Sequence, residues 1–132
     1  MSMSLLFSLT LASTSPVAGE PPIPENLREV PEARFSKEFR SNEIGNQRVL
    51  RLTKANGCTP QDVSPVWNGM KVVALMLVSN QGKVKKITPV SVGCPAVEAY
   101  GAKEISKYMD KLTSRPSEES AKWYRTSIIY YW

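Results

Sequence analysis

The chain has 132 residues and a formal net charge of +5, a length that fits one small domain with a modest core. It contains no histidine, which excludes Ser-His-Asp and Cys-His catalytic sites and any zinc site that needs an imidazole. Its lysines and arginines are scattered, so nothing indicates nucleic-acid binding. Its carboxylates form no convincing pair, and we expect neither an enzyme nor a cofactor or metal site.

Residues 1–19 have the pattern of a signal peptide. An apolar core at residues 5–12 is followed by small residues that end in Val17-Ala18-Gly19, although no Lys or Arg precedes the core. The apolar run is far shorter than the roughly 20 residues of a membrane-spanning helix. We therefore expect a periplasmic or secreted protein with no visible membrane span.

The next two segments are less regular. Residues 20–32 carry four of the ten prolines and are expected to be an extended, poorly ordered linker. Residues 33–69 are interpreted as an irregular amino-terminal subdomain. Within it, the spacing of Phe35 and Phe39 favours a helical turn, and residues 46–53 favour a short strand.

Residues 70–92 predict a β-hairpin. Two β-rich runs flank a short polar segment that contains Gly82. The first run is apolar at almost every position between residues 72 and 78, which indicates a central strand covered on both faces. The second run contains Pro89, which has no N–H to donate and therefore belongs on an edge.

A helix and a final strand follow. Pro95 suits the first helical position, and apolar residues then recur at helical spacing as far as Leu112. Gly101 falls in this stripe, where it would permit close packing on a strand. Residues 122–132 alternate strongly and predict the last strand.

The two cysteines, Cys58 and Cys94, are far apart in sequence, which argues against a redox-active Cys-x-x-Cys pair. In an exported chain an even count predicts a structural disulfide. Closing a loop of this size would add about 4 kcal/mol of stability in the chain-entropy model.

Residues 70–132 resemble the carboxy-terminal domain of the TonB family. The resemblance rests on the apolar first strand, the Gly82-Lys83-Val84 turn exit, the Cys94-Pro95 helix start, the Arg115-Pro116 pair after the helix and the alternating last strand. It implies an α+β fold in which a small three-stranded antiparallel-type sheet, in the order strand-strand-helix-strand, carries one helix on a face. The family's Tyr-Pro motif is missing, as are its inner-membrane helix and long Pro-rich spacer, so a stand-alone periplasmic domain is expected.

The resemblance also implies a function in TonB-type transport. In that family the last strand accepts an extended segment of an outer-membrane transporter by β-augmentation. The partner-binding residues carried over to this chain are Tyr124, Thr126, Ile128 and Tyr130. The alternative is a small disulfide-stabilised exported domain that acts as an inhibitor, an assembly subunit or a homodimer formed through the last strand.

Overall fold

The computed structural model describes residues 20–132, which form two α-helices and a four-stranded antiparallel sheet. The predicted signal peptide, residues 1–19, lies outside the described residues. The elements are α1 (Glu43–Ala55), β1 (Gln61–Asp62), β2 (Asn68–Val78), β3 (Val84–Pro89), α2 (Pro95–Ser106) and β4 (Lys122–Tyr131), with short 3-10 turns at Leu27–Glu29 and Met109–Lys111. The predicted α+β class with a small antiparallel sheet is confirmed, with β1 and α1 as additions.

The central strand is β2. It pairs with β4 on one side, from Gly69–Tyr131 to Val78–Lys122, and with β3 and the short β1 on the other side. Every side chain of β2 from Ala74 to Val78 is buried. The near-continuous apolar run thus reflects a strand that is covered on both faces.

The β2–β3 hairpin closes through Gly82, whose φ of 81° is a conformation that glycine adopts without a steric penalty. Val90 donates its main-chain N–H to the carbonyl of Val73. Because the main-chain groups of successive residues in a strand alternate in direction, the main-chain nitrogen of Pro89 points away from β2. Its missing N–H therefore costs the sheet no hydrogen bond, as predicted for an edge strand.

Both helices cover one face of the sheet, which we call the helix face. Its core contains the side chains of β2 that alternate from Met70 to Val78, together with Val49 of α1, Val97 and Ile105 of α2, and Tyr130 of β4. At Gly101, an added Cβ would lie 2.8 Å from Cβ of Val72. The glycine therefore permits the close approach of α2 to β2 that the sequence predicted.

The sequence overestimated the length of α2. Cys94 is the N-cap, and the carboxylate of Glu98 accepts the main-chain N–H groups of Val92 and Cys94 at 2.8 and 3.1 Å, which stabilises the helix start. The helix ends at Ser106 and not near Leu112. The apolar pattern continues, but Leu112 forms an isolated antiparallel bridge with Phe35, and this tertiary pairing takes precedence over helix propensity.

Two predictions for the segment before β1 were wrong. Residues 46–53 are part of the helix α1 and not a strand; its buried positions, Gly45, Asn46, Val49 and Thr53, follow helical spacing. The side chain of Asn42 accepts the N–H of Gly45 at 2.8 Å and caps the helix start. The expected helical turn at residues 33–39 is absent, although the Phe35 and Phe39 rings do meet at 5.0 Å.

The opposite face of the sheet is covered at one end by residues 20–33, which we call the strap. Val30 is buried in a cluster with Leu75, Leu77 and Trp123. The indole Nε1 of Trp123 donates to the carbonyl of Pro21 at 3.1 Å, and Nε of Arg125 donates to the carbonyl of Val30 at 2.9 Å. The segment expected to be a free linker is therefore docked on the sheet.

The predicted disulfide is present. Cys58 and Cys94 are bonded, with their Cα atoms 5.7 Å apart and a sequence separation of 36. The bond ties the chain just after α1 to the N-cap of α2. A structural disulfide fits a protein that folds outside the reducing cytoplasm.

Candidate functional site

The outer edge of β4 is the part of the sheet on which the sequence placed partner binding. Asn68 and Trp132 exchange main-chain hydrogen bonds at 2.9 and 3.2 Å, which fixes the phase of the β2–β4 ladder. Even-numbered residues of β4 therefore pair with β2, and odd-numbered residues direct their N–H and C=O groups outward.

The four predicted binding residues all lie on the inward-pairing positions of this strand. Tyr124, Thr126, Ile128 and Tyr130 have buried side chains, and their main chains face β2. These four residues pair β4 with β2 and pack in the core. The outward main-chain groups belong to Trp123, Arg125, Ser127, Ile129 and Tyr131. Alternation in the sequence separates the two sets but does not reveal which set faces outward.

Part of the outer edge is occupied by the chain itself. Arg125 donates its N–H to the carbonyl of Pro31 at 3.0 Å and accepts the N–H of Ala33 at 2.8 Å, so the strap runs beside β4 as a short parallel strand. At the other end, the N–H of Tyr131 donates to Oδ1 of Asn46 in α1 at 3.2 Å. After Ala33 the chain leaves β4 and pairs with residues 111–113 instead.

Between these two points lies a stretch that we call the open window, formed by the outward main-chain groups of Ser127 and Ile129. Among residues 20–132, no other segment donates to these groups or accepts from them. An extended peptide laid beside the window has four unsatisfied groups available, two donors and two acceptors. The window is therefore a short template for strand addition.

Exposed apolar side chains lie directly beside the open window. Ile129 and Tyr131 project from the face opposite the helices and are 42% and 41% exposed. Trp67, at 48% exposure, packs against Tyr131 with ring centroids 5.5 Å apart. Trp67 lies in the segment that the sequence analysis interprets as an irregular subdomain, and its proximity to the last strand follows from the β2–β4 register.

One buried hydrogen bond sits beneath the window. The hydroxyl of Tyr130 donates to Oε1 of Glu104 at 2.7 Å. Burial, and then the neighbouring Glu104 carboxylate, raise the pKa of Tyr130 above its ordinary value. The phenol is thus a structural donor that fixes β4 against α2.

Two other kinds of site, a metal centre and a membrane-spanning helix, are absent from the described residues. No group of His, Cys, Asp and Glu side chains in residues 20–132 is arranged to hold a metal ion. Over the same residues, no helix combines the length and apolar character needed to cross a membrane.

The chain matches no protein-family model, and it has no significant match among curated proteins or solved structures.

Proposed function

We propose that this chain is a protein-binding domain that docks an extended peptide on the outer edge of β4 by β-augmentation. The observation that carries the proposal is the open window, where the main-chain groups of Ser127 and Ile129 have no partner among residues 20–132. Peptide recognition of this type draws affinity from main-chain hydrogen bonds and specificity from nearby side chains.

The size of the window sets an expectation for affinity. Each net hydrogen bond contributes about 1 kcal/mol, so four bonds contribute about 4 kcal/mol, which is no more than the cost of association itself, about 4 kcal/mol or greater. Main-chain pairing at the window alone is therefore weak. Useful affinity requires contacts with the exposed Ile129, Tyr131 and Trp67 side chains.

We further propose a periplasmic location and a role in TonB-type transport, with a segment of an outer-membrane transporter or another envelope protein as the partner. This proposal is supported by the resemblance of residues 70–132 to the TonB carboxy-terminal domain. The Cys58–Cys94 disulfide is compatible with it, because the periplasm is an oxidising compartment.

The decisive experiment is a titration of the disulfide-bonded protein with peptides from periplasm-facing segments of outer-membrane receptors, followed by amide chemical shifts. We expect the largest shifts at Ser127 and Ile129. The variant Ser127→Pro removes one outward N–H donor from the window and should abolish the shift at Ile129, the window amide that remains.

Lys85→Pro is the matched control. Lys85 lies in β3 at a shift of register with β2, on the opposite edge of the sheet, where a proline is tolerated. This variant should bind like the parent protein. If no peptide shifts the window, and the Ser127 and Ile129 amides are already protected from exchange, the edge is occupied and the alternative role as an assembly subunit, inhibitor or homodimer is favoured.

A further inference from the structure

The open window ends at the strap on one side and, on the other, at Tyr131, whose N–H donates to Asn46 and whose side chain borders a cavity. The strap blocks the edge beside Arg125. Beyond Ile129, the edge reaches a cavity of about 350 Å³, which we call the aromatic notch. Its walls include Trp67, Tyr131 and Trp132 together with Glu43, Asn46 and Gln47 of α1.

Strand geometry predicts which part of a docked peptide meets the notch. A residue opposite Ile129 and a residue opposite Tyr131 lie two positions apart on the peptide and project to the same face. The peptide residue opposite Tyr131 lies beyond the paired window. Its side chain extends over the rings of Tyr131 and Trp67, whose centroids are 5.5 Å apart. The notch is therefore placed to contact one side chain of a peptide held at the window.

The lining of the notch restricts the chemistry of that side chain. The carboxylate of Glu43 disfavours an anion, while the amino terminus of α1 and the net charge of +5 disfavour a cation. The amides of Asn46 and Gln47 already bond to the N–H of Tyr131 and to the carboxylate of Glu43, so the acceptor that the rim offers to a docked side chain is the Glu43 carboxylate. An aromatic ring whose tip is a hydroxyl or an indole N–H packs against the ring walls and can donate to this carboxylate.

We infer that the aromatic notch is the specificity pocket of the β4 edge and selects a tyrosine or tryptophan side chain in the partner peptide. This inference rests on the proposed function, because pairing at Ser127 and Ile129 is what delivers the side chain to the notch. It also predicts that the paired segment is short, since the strap stops a longer one beside Arg125.

The test uses blocked synthetic peptides in which one residue separates a Thr-Val-Thr pairing segment, on its amino- or carboxy-terminal side, from Tyr, Ala or Lys at the position opposite Tyr131. The amides of Ser127 and Ile129 report pairing, and the indole N–H of Trp67 reports entry into the notch. The indole of Trp123, hydrogen-bonded to Pro21 at the far end of the strand, is an internal reference. We expect the Tyr peptides in one orientation to bind about tenfold more tightly than the Ala and Lys peptides and to shift Trp67 but not Trp123.

Two variants separate the notch from the window. Trp67→Ala should reduce the affinity for the Tyr peptide to about the affinity for the Ala peptide, while the Ser127 and Ile129 shifts persist. Val66→Ala, at a neighbouring residue that is 79% exposed, should leave the preference unchanged. If Ser127 and Ile129 respond equally to the Tyr and Ala peptides in both orientations, the notch assignment is overturned and the proposed function stands. If neither amide responds to any peptide, both fail.

Discussion

Tyr130 shows how one side chain links the core to the candidate site. Its ring is fully buried, and its hydroxyl donates to Glu104 at 2.7 Å. Because burial raises the pKa of Tyr130, the folded state holds the phenolic proton more tightly than the unfolded chain does. The resulting stability is fully present below the ordinary tyrosine pKa of about 10 and is lost as the pH rises above it.

Replacing this phenol tests the linkage. Tyr130→Phe should lower the free energy of unfolding by about 1 kcal/mol at neutral pH through the lost hydrogen bond. It should also make the decline of stability above about pH 10 shallower. Urea unfolding at a series of pH values measures both effects. Some decline should remain, because burial also raises the pKa of Tyr124.

Glu104→Gln provides the matched comparison, because the amide oxygen still accepts the Tyr130 hydroxyl without a negative charge. We expect its stability at neutral pH to stay within about 0.5 kcal/mol of the parent. If Tyr130→Phe declines as steeply as the parent protein at high pH, Tyr130 is not the group that carries the pH dependence.

At the scale of the elements, the packing of α2 on β2 depends on a missing methyl group. An alanine at residue 101 would bring its Cβ to 2.8 Å from Cβ of Val72, and the stiff valine cannot move aside easily. Gly101→Ala should gain about 1 kcal/mol in helix propensity but lose about 1–3 kcal/mol through overpacking. We expect a net loss of about 1 kcal/mol, measured by urea unfolding.

Gly45→Ala makes the same change in α1, where an added Cβ meets its neighbours at 3.4 Å or more. This variant should be neutral or more stable than the parent protein. Equal effects of the two substitutions would mean that helix propensity, rather than the contact with Val72, decides the outcome.

The same two helices show what the sequence could predict. The sequence predicts α2 clearly, because Pro95 indicates its start and the buried positions, which include Gly101, repeat at helical spacing. In α1, Val49, Leu50 and Leu52 lie close together and imitate a strand, while its buried face includes Gly45, Asn46 and Thr53. A helix face built from small and polar residues carries no apolar periodicity, so only the cap at Asn42 identifies its start.

For the candidate site, the sequence identified the strand but not its accessible groups. The alternation of residues 122–132 predicts β4 well, since aromatic and β-branched residues favour strands. Which main-chain groups point outward depends on the register with β2, and the position of the strap depends on contacts distant in sequence, such as Val30 with Leu75. Neither is encoded in a local pattern.

At the scale of the whole molecule, the strap limits what can pair with β4. A second copy paired antiparallel through the open window would align Ser127 with Ile129 of the other copy. The same register would place Tyr131 of that copy beside Arg125, where Pro31 and Ala33 already lie. The strap therefore disfavours a homodimer formed through this edge and works against edge-to-edge association.

Val30→Asp should release the strap, because a carboxylate replaces an apolar side chain whose burial contributes about 1.5–3 kcal/mol. We expect faster hydrogen exchange at the Arg125 amide and the appearance of dimers in sedimentation experiments. Ile23→Asp introduces the same charge at an apolar residue of the strap that is 56% exposed and should leave both measurements unchanged. A monomer with a slowly exchanging Arg125 amide in Val30→Asp would contradict this role.

The central position of β2 also has a consequence for how the chain folds. Its partner β3 follows after a short turn, so the hairpin can form in about 1–10 μs, whereas β4 follows only after α2 and pairs through long-range contacts. Until β4 arrives, one side of β2 is an unpaired edge along an apolar, uncharged run at residues 72–78. Such a segment is prone to aggregate, so the yield of refolded protein should fall steeply with protein concentration during this interval.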